Sequence, residues 1–298
     1  MKSNHSRGQY GFTLVEMIVV IVITGIIGGV VAIFIRSPVQ GYVDSARRAE
    51  LTDIADTALR RITRDLRSAL PNSVRVTGAC GGAGTTCYLE FIPTTGGGRY
   101  RANSAGGTGS CAAVAGDADG DALSFTAADT CFEVLGPMPA VTAGLDEIVV
   151  YNLGIPGASA YTGNTAPTDN RRTIAAVGAN NLRITSGSAL PFDSPGHRFQ
   201  TVRTPVTYVC APAAGGGTAG TLRRYWGYAI QAAQPNNSAA APLNTASSAL
   251  LANNVSACNF AYNAGVSQRA GLVTLRLGIE ENGEAVTLYS AAHVNNEP

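Results

Sequence analysis

The sequence predicts an α+β fold: a long N-terminal helix, transmembrane at first and then amphipathic, packed on a mainly antiparallel β-sheet with long loops. Three observations carry this. Residues 12–35 form an apolar run of 24 residues whose only charge is Glu16. As a helix that run spans roughly 36 Å, enough to cross a hydrocarbon layer of about 30 Å. After Pro38, apolar residues recur at three- and four-residue steps, the period of a helix with one buried stripe. Beyond Val76 this period gives way to short alternating segments separated by Gly-rich loops, the pattern of strands and turns.

Taken in order, residues 1–11 read as a leader. It carries Lys2 and Arg7, with His5 between them, and these place it on the cytoplasmic side of the span, with the remainder outside. Residues 12–37 are the transmembrane helix. Gly25, Gly28 and Gly29 lend it flexibility, and Pro38 predicts a kink or an interruption. Residues 38–71 continue as an amphipathic helix whose stripe is Leu51, Ala55, Ala58, Ile62, Leu66 and Ala69. Arg47, Arg48, Asp53, Asp56, Arg60, Arg61, Arg64 and Arg67 mostly fill the other positions, as a solvated face. Pro71-Asn72 ends the helix.

Residues 72–298 form a β-rich domain outside the membrane. Strands are predicted at 88–92, 123–126, 147–152, 202–210, 222–230, 272–279 and 284–290. The last two are the clearest, because Val273, Leu275, Leu277 and Ile279 alternate with polar or small residues and Asn282-Gly283 is a hairpin-turn dipeptide. This sheet is expected to cover the helix stripe. Segments 102–118, 154–179, 211–221 and 234–249 are rich in small and polar residues and read as long loops.

Composition narrows the function. Charged residues make up 14% of the 298 and the net charge is +1, so no basic field points to nucleic acid. The six cysteines, Cys80, Cys87, Cys111, Cys131, Cys210 and Cys258, all lie beyond the apolar run. An even count in an exported domain predicts disulfides, with fifteen full pairings open. Loop context is compatible with Cys80–Cys87 and Cys111–Cys131 as local bridges and Cys210–Cys258 as a tie between later strands. A zinc site is disfavoured, since no Cys-x-x-Cys pair occurs and the three histidines, His5, His197 and His293, are scattered.

Glu16 is the residue that asks for a function. A carboxylate one turn into an apolar span is costly unless a cation meets it. A cut between Gly11 and Phe12 would create an amine four residues away, on this chain or on a neighbour packed one step along. Gly11 followed by Phe12-Thr13-Leu14-Val15-Glu16 and an apolar helix resembles the leader junction of type IV pilins and type II secretion pseudopilins. The resemblance implies a type IV pilin-like fold, cleavage after Gly11 by a prepilin peptidase, N-methylation of Phe12, and a role for Glu16 in docking subunits during assembly. It departs from the family in one respect: the three glycines stand where a helix-bending proline is common.

Several later stretches are similar to the MshO group, minor pilins of the mannose-sensitive haemagglutinin (MSHA) type pilus. They include Tyr88-Leu89-Glu90-Phe91, Val149-Val150-Tyr151-Asn152-Leu153-Gly154, Pro205-Val206-Thr207-Tyr208-Val209-Cys210, Arg224-Tyr225-Trp226-Gly227-Tyr228 and His293-Val294-Asn295-Asn296. This implies a non-catalytic subunit with no cofactor that helps start or cap a pilus. Its partners would be the prepilin peptidase, other minor and major pilins and the inner membrane, with no nucleic acid. Its soluble domain would lie in the periplasm and later in the fibre; for the arginine-rich helix face the alternative to a solvated surface is that some of its charges bridge neighbouring subunits. The alternatives are a J-type minor pseudopilin of a type II secretion system and a tip-located adhesive or ligand-binding pilin.

Chemistry is otherwise sparse. Asp117, Asp119 and Asp121 in Gly-Asp-Ala-Asp-Gly-Asp look like half of a calcium loop, but the glycine after the third aspartate and the distal glutamate are missing, so a solvated acidic turn is favoured. No nucleophile elbow, zinc helix or phosphate loop is present. Trp226 and Tyr228 are expected on one strand face and Tyr225 on the other, packing in the core rather than lining a ligand surface.

Overall fold

A computed structural model describes residues 11–81, 84–103, 111, 121–185, 187–214, 219–264 and 270–298. The fold is α+β, with one long helix and antiparallel sheets. The chain divides into two compact units, Met1–Glu50 and Leu51–Pro298. Helix α1 (Leu14–Leu66, 53 residues) contributes to both.

In the first unit the helix is apolar all round as far as Ile35, apart from Glu16, and its large side chains, from Phe12 to Phe34, are exposed. A surface of that kind is stable only in lipid or against other helices, and α1 is long and apolar enough to cross a membrane. The one hydroxyl midway along is satisfied locally, with Thr24 Oγ1 donating to Val20 O at 2.5 Å. Helical conformation runs on through Pro38 without the expected interruption, since a proline removes one amide donor and the ladder on either side holds the chain. The helix also ends earlier than Pro71. Ser68 Oγ turns back to Asp65 O at 2.7 Å, and Leu70 N is drawn away to Ile92 O at 2.7 Å.

In the second unit the strands follow as β1 (Arg75–Gly78), β2 (Cys87–Phe91), β3 (Thr94–Tyr100), β4 (Cys131–Leu135), β5 (Glu147–Val150), β6 (Arg171–Val177) and β7 (Asn181–Ile184). Then come β8 (Arg198–Val202), β9 (Val206–Ala211), β10 (Thr221–Trp226), β11 (Ser247–Asn253), β12 (Val255–Asn263), β13 (Ala270–Glu281) and β14 (Glu284–Asn295). One sheet has the order β1-β2-β9-β10-β11 and another β12-β13-β14. Both share a core with the helix stripe, where Leu51, Ala55, Ala58, Leu59, Ile62 and Leu66 are nearly solvent-free beside Leu89, Phe91, Tyr208, Leu275 and Leu277. Each large side chain buried there contributes about 1.5–3 kcal/mol. Asp65 fixes the helix on this core, accepting from Tyr208 Oη at 2.7 Å and Arg224 Nε at 2.9 Å.

Between β2 and β9, which are direct neighbours, the chain builds a closed barrel in the order β3-β4-β7-β6-β5-β8. It has a separate core that includes Tyr100, Phe132, Ile148, Ile174, Leu182 and Phe199, with Phe132 and Phe199 edge to face at 5.5 Å. Glycines allow β3 to close against β8. A Cβ at Gly97 would lie 2.8 Å from Phe199 O, and one at Gly98 would lie 2.9 Å from the Phe199 ring.

Several sequence expectations change here. Residues 123–126 are not a strand, because Asp129 Oδ2 takes the Ser124 amide at 2.8 Å and Ser124 Oγ takes that of Ala127 at 3.2 Å. The expected strand 202–210 is the end of β8 and most of β9, parted near Pro205. Segment 154–179 contains β6, and 234–249 runs into β11.

Candidate processing and assembly site

Helix α1 begins where Thr13 allows it to. Glu16 N donates to Thr13 Oγ1 at 3.3 Å, and Thr13 N donates to Glu16 Oε2 at 3.5 Å. This is the reciprocal capping box that Thr-x-x-Glu encodes, and it satisfies two amides at the end where the helix dipole favours a carboxylate. The role of Thr13 was missed in reading the sequence, although its spacing to Glu16 is the signal.

The cap has a consequence for the preceding bond. Gly11, Phe12 and Thr13 stay outside the helix, and Phe12 is 79% exposed, so the Gly11–Phe12 peptide is open to an enzyme. A Cβ at Gly11 would meet nothing within 4 Å. Nothing in the packing of the described residues therefore requires glycine there, and a requirement would come from a partner that grips the bond. Glu16 is exposed too, and its Oε1 has no partner among the described residues, which leaves it ready to accept from a cation outside this chain.

The remaining candidates are structural. Disulfides join Cys80 to Cys87, Cys111 to Cys131 and Cys210 to Cys258, the pairs compatible with the loop context. Cys111, Asp121 and Cys131 come together, but the two sulfurs are bonded to each other and offer no thiolate to a metal. Asp121 is buried, which pushes its carboxyl upward, and Oδ2 accepts the Cys111 amide at 3.0 Å. Asp117 and Asp119 lie outside the described residues, as do Lys2, His5 and Arg7.

His197 Nδ1 is 3.6 Å from Asp193, too far for a hydrogen bond. Its neighbour Tyr100 donates to Asp193 and accepts the Ser194 amide at 2.9 Å, so the group pins a loop to the barrel. Burial and the Asp193 carboxylate raise the Tyr100 hydroxyl well above its ordinary value. His293 is exposed on β14. Trp226 packs on the helix core, whereas Tyr225 and Tyr228 pack together in a separate cluster. The expected shared face of Trp226 and Tyr228 fails because the strand ends at Trp226 and Gly227 turns the chain at φ 80°.

Compared with known proteins, the chain finds no match among curated proteins or solved structures. Residues 6–32 match the family described as the prokaryotic N-terminal methylation motif. That interval holds Gly11, Phe12, the capping box and the first part of α1. The chain thus carries, at the start of its apolar helix, the processing signal of type IV pilin-like prepilins.

Proposed function

We propose that this chain is a minor pilin or pseudopilin, inserted in the inner membrane by α1, cleaved after Gly11 by a prepilin peptidase and N-methylated at Phe12. One observation carries the reading: the methylation motif over residues 6–32 leads a helix whose apolar side chains are exposed on every side. Such a helix packs into a fibre of like helices once it leaves lipid. Glu16 then accepts a charge-assisted hydrogen bond from the amine of a neighbouring subunit, a pairing that apolar surroundings make strongly favourable. The β-rich part lies in the periplasm and has no catalytic role or cofactor.

Within this class we assign it to the MSHA-type pilus and the MshO group, starting or capping the fibre with other minor and major pilins. The stretches from Tyr88 to Asn296 quoted above support that assignment. A J-type minor pseudopilin of type II secretion shares the same processing chemistry, and the genes flanking the coding sequence separate the two. The barrel, a module with its own core, favours a ligand-binding position at the tip as the second reading.

Leader removal and fibre incorporation test the two steps separately. Gly11→Leu should leave the leader attached. Glu16→Gln keeps the capping box, which accepts Glu or Gln, yet removes the charge, so it should be cleaved normally and fail to enter fibres. Normal cleavage of the first variant, or normal assembly of the second, refutes the corresponding step.

A further inference from the structure

The register of β3 against β8 sets Arg99 directly opposite Arg198, which puts both side chains on one face of the sheet. Tyr100 and Phe199, the next residue of each strand, turn into the barrel core, and both arginines are exposed. Like charges facing each other across strands are destabilising. The neighbouring arginines all have acceptors: Arg101 on Glu133, Arg171 on Glu147, Arg172 and Arg183 on main-chain carbonyls, and Arg203 on Asp146. The guanidinium groups of Arg99 and Arg198 have no partner among the described residues.

The two arginines border a cleft of about 450 Å³ that also takes in Gly97, Leu135, Pro137 and Gln200 and has no carboxylate in its walls. That volume is in the range of small-ligand sites, about 300–1,000 Å³, although the cleft is shallow and open to solvent. Gln200 Oε1 is buried without a hydrogen-bond partner among the described residues, and so is not open to the cleft. We infer that this cleft binds a carboxylate-bearing saccharide. The paired guanidiniums match an oxyanion bidentately, and Leu135 with Pro137 offers an apolar wall to the C–H face of a sugar ring. A bare phosphate or sulfate would meet the guanidiniums but leave the apolar wall of Leu135 and Pro137 unused. The inference goes beyond assembly and holds whether or not the chain enters a fibre.

Trigalacturonate is the probe, titrated calorimetrically onto the full chain in non-ionic detergent, with galactotriose and inorganic sulfate as comparisons. Trigalacturonate should bind and the other two should bind at least about ten-fold more weakly. Arg99→Gln and Arg198→Gln should each weaken binding about ten-fold or more, the loss expected for one charge-assisted contact. Arg223→Gln, on β10, should leave it unchanged. Neither barrel variant should melt lower than wild type, since each removes a repulsion. Leu135→Glu sets a carboxylate beside Arg99 and should abolish binding while raising the melting temperature, so loss of the ligand is read apart from loss of the fold. Absence of trigalacturonate binding, equal binding of galactotriose, or undiminished binding in both arginine variants overturns the site. Sulfate binding as tight as that of trigalacturonate overturns the saccharide.

Discussion

Asp146 is only 1% exposed, and the donors around it decide its charge. Arg203 Nε and Nη2 each reach a carboxylate oxygen at 2.8 Å, and the Thr142 amide does so at 2.6 Å. The hydrogen bond from Arg203 holds the carboxyl below its usual value, against the opposing effect of burial. A depressed folded value gives stability that is present above the unfolded carboxylate value, near 4, and is lost as pH falls through the folded one. Asp146→Asn should therefore cost about 1–3 kcal/mol at pH 7, and denaturant curves should show the gap to wild type closing toward pH 3. Glu90 has the opposite sign. Burial raises its carboxyl, although Arg75 at 2.6 Å works against the rise, so its contribution declines as pH rises through the folded value. At this scale the motif matched over residues 6–32 was legible because its offsets along the chain are fixed. Asp146 with Arg203 was not, being 57 residues apart and brought together only by the strand pairing of the barrel.

Among the elements, the amphipathic stripe and the β13–β14 hairpin were legible, because periods of 3.6 and 2 survive in the residues themselves. Strand β3 was hidden. Its Gly96-Gly97-Gly98 centre reads as loop, yet the close approach of Phe199 is what excludes side chains there. Strands β6 and β11 were hidden for a related reason, in stretches of small and polar residues whose pairing comes from neighbours and not from propensity. The disulfides also act at this scale. Cys80–Cys87 closes a separation of 7 and Cys210–Cys258 one of 48. If restriction of the unfolded chain dominates, removing the longer bridge by paired Cys→Ser changes should cost about 1.7 kcal/mol more than removing the shorter. Urea midpoints of the two double variants give the comparison, and equal losses would point to native-state contacts instead.

For the whole molecule, the telling fact is that β2 and β9 are neighbours although the barrel lies between them in sequence. An insertion whose entry and exit are adjacent can be removed without reordering the sheet. Replacing residues 94–203 by Asn-Gly should leave a chain that unfolds cooperatively and is still cleaved after Gly11. Its melting temperature should be lower, because Leu70 and Ile92 lose Val149 and Val202, and trigalacturonate binding should vanish. Circular dichroism, leader processing and calorimetry report these outcomes, and failure of the shortened chain to fold would make the barrel part of the folding unit. None of this nesting was readable beforehand, since sequence order says nothing of which strands become neighbours across so long an excursion.

The same adjacency decides how the molecule answers a pull. Tension on something gripped by the barrel would leave through Phe91 and Val206, which are paired, and so would draw β2 and β9 in one direction. The two strands would slide together past β1 and β10, every rung of the ladder resisting at once, instead of opening rung by rung like a zip. At the far end of that slide Cys87 stands opposite Cys210, and each is tied to its own partner, Cys80 and Cys258. These covalent stops would halt the movement before the cover over the helix is stripped away.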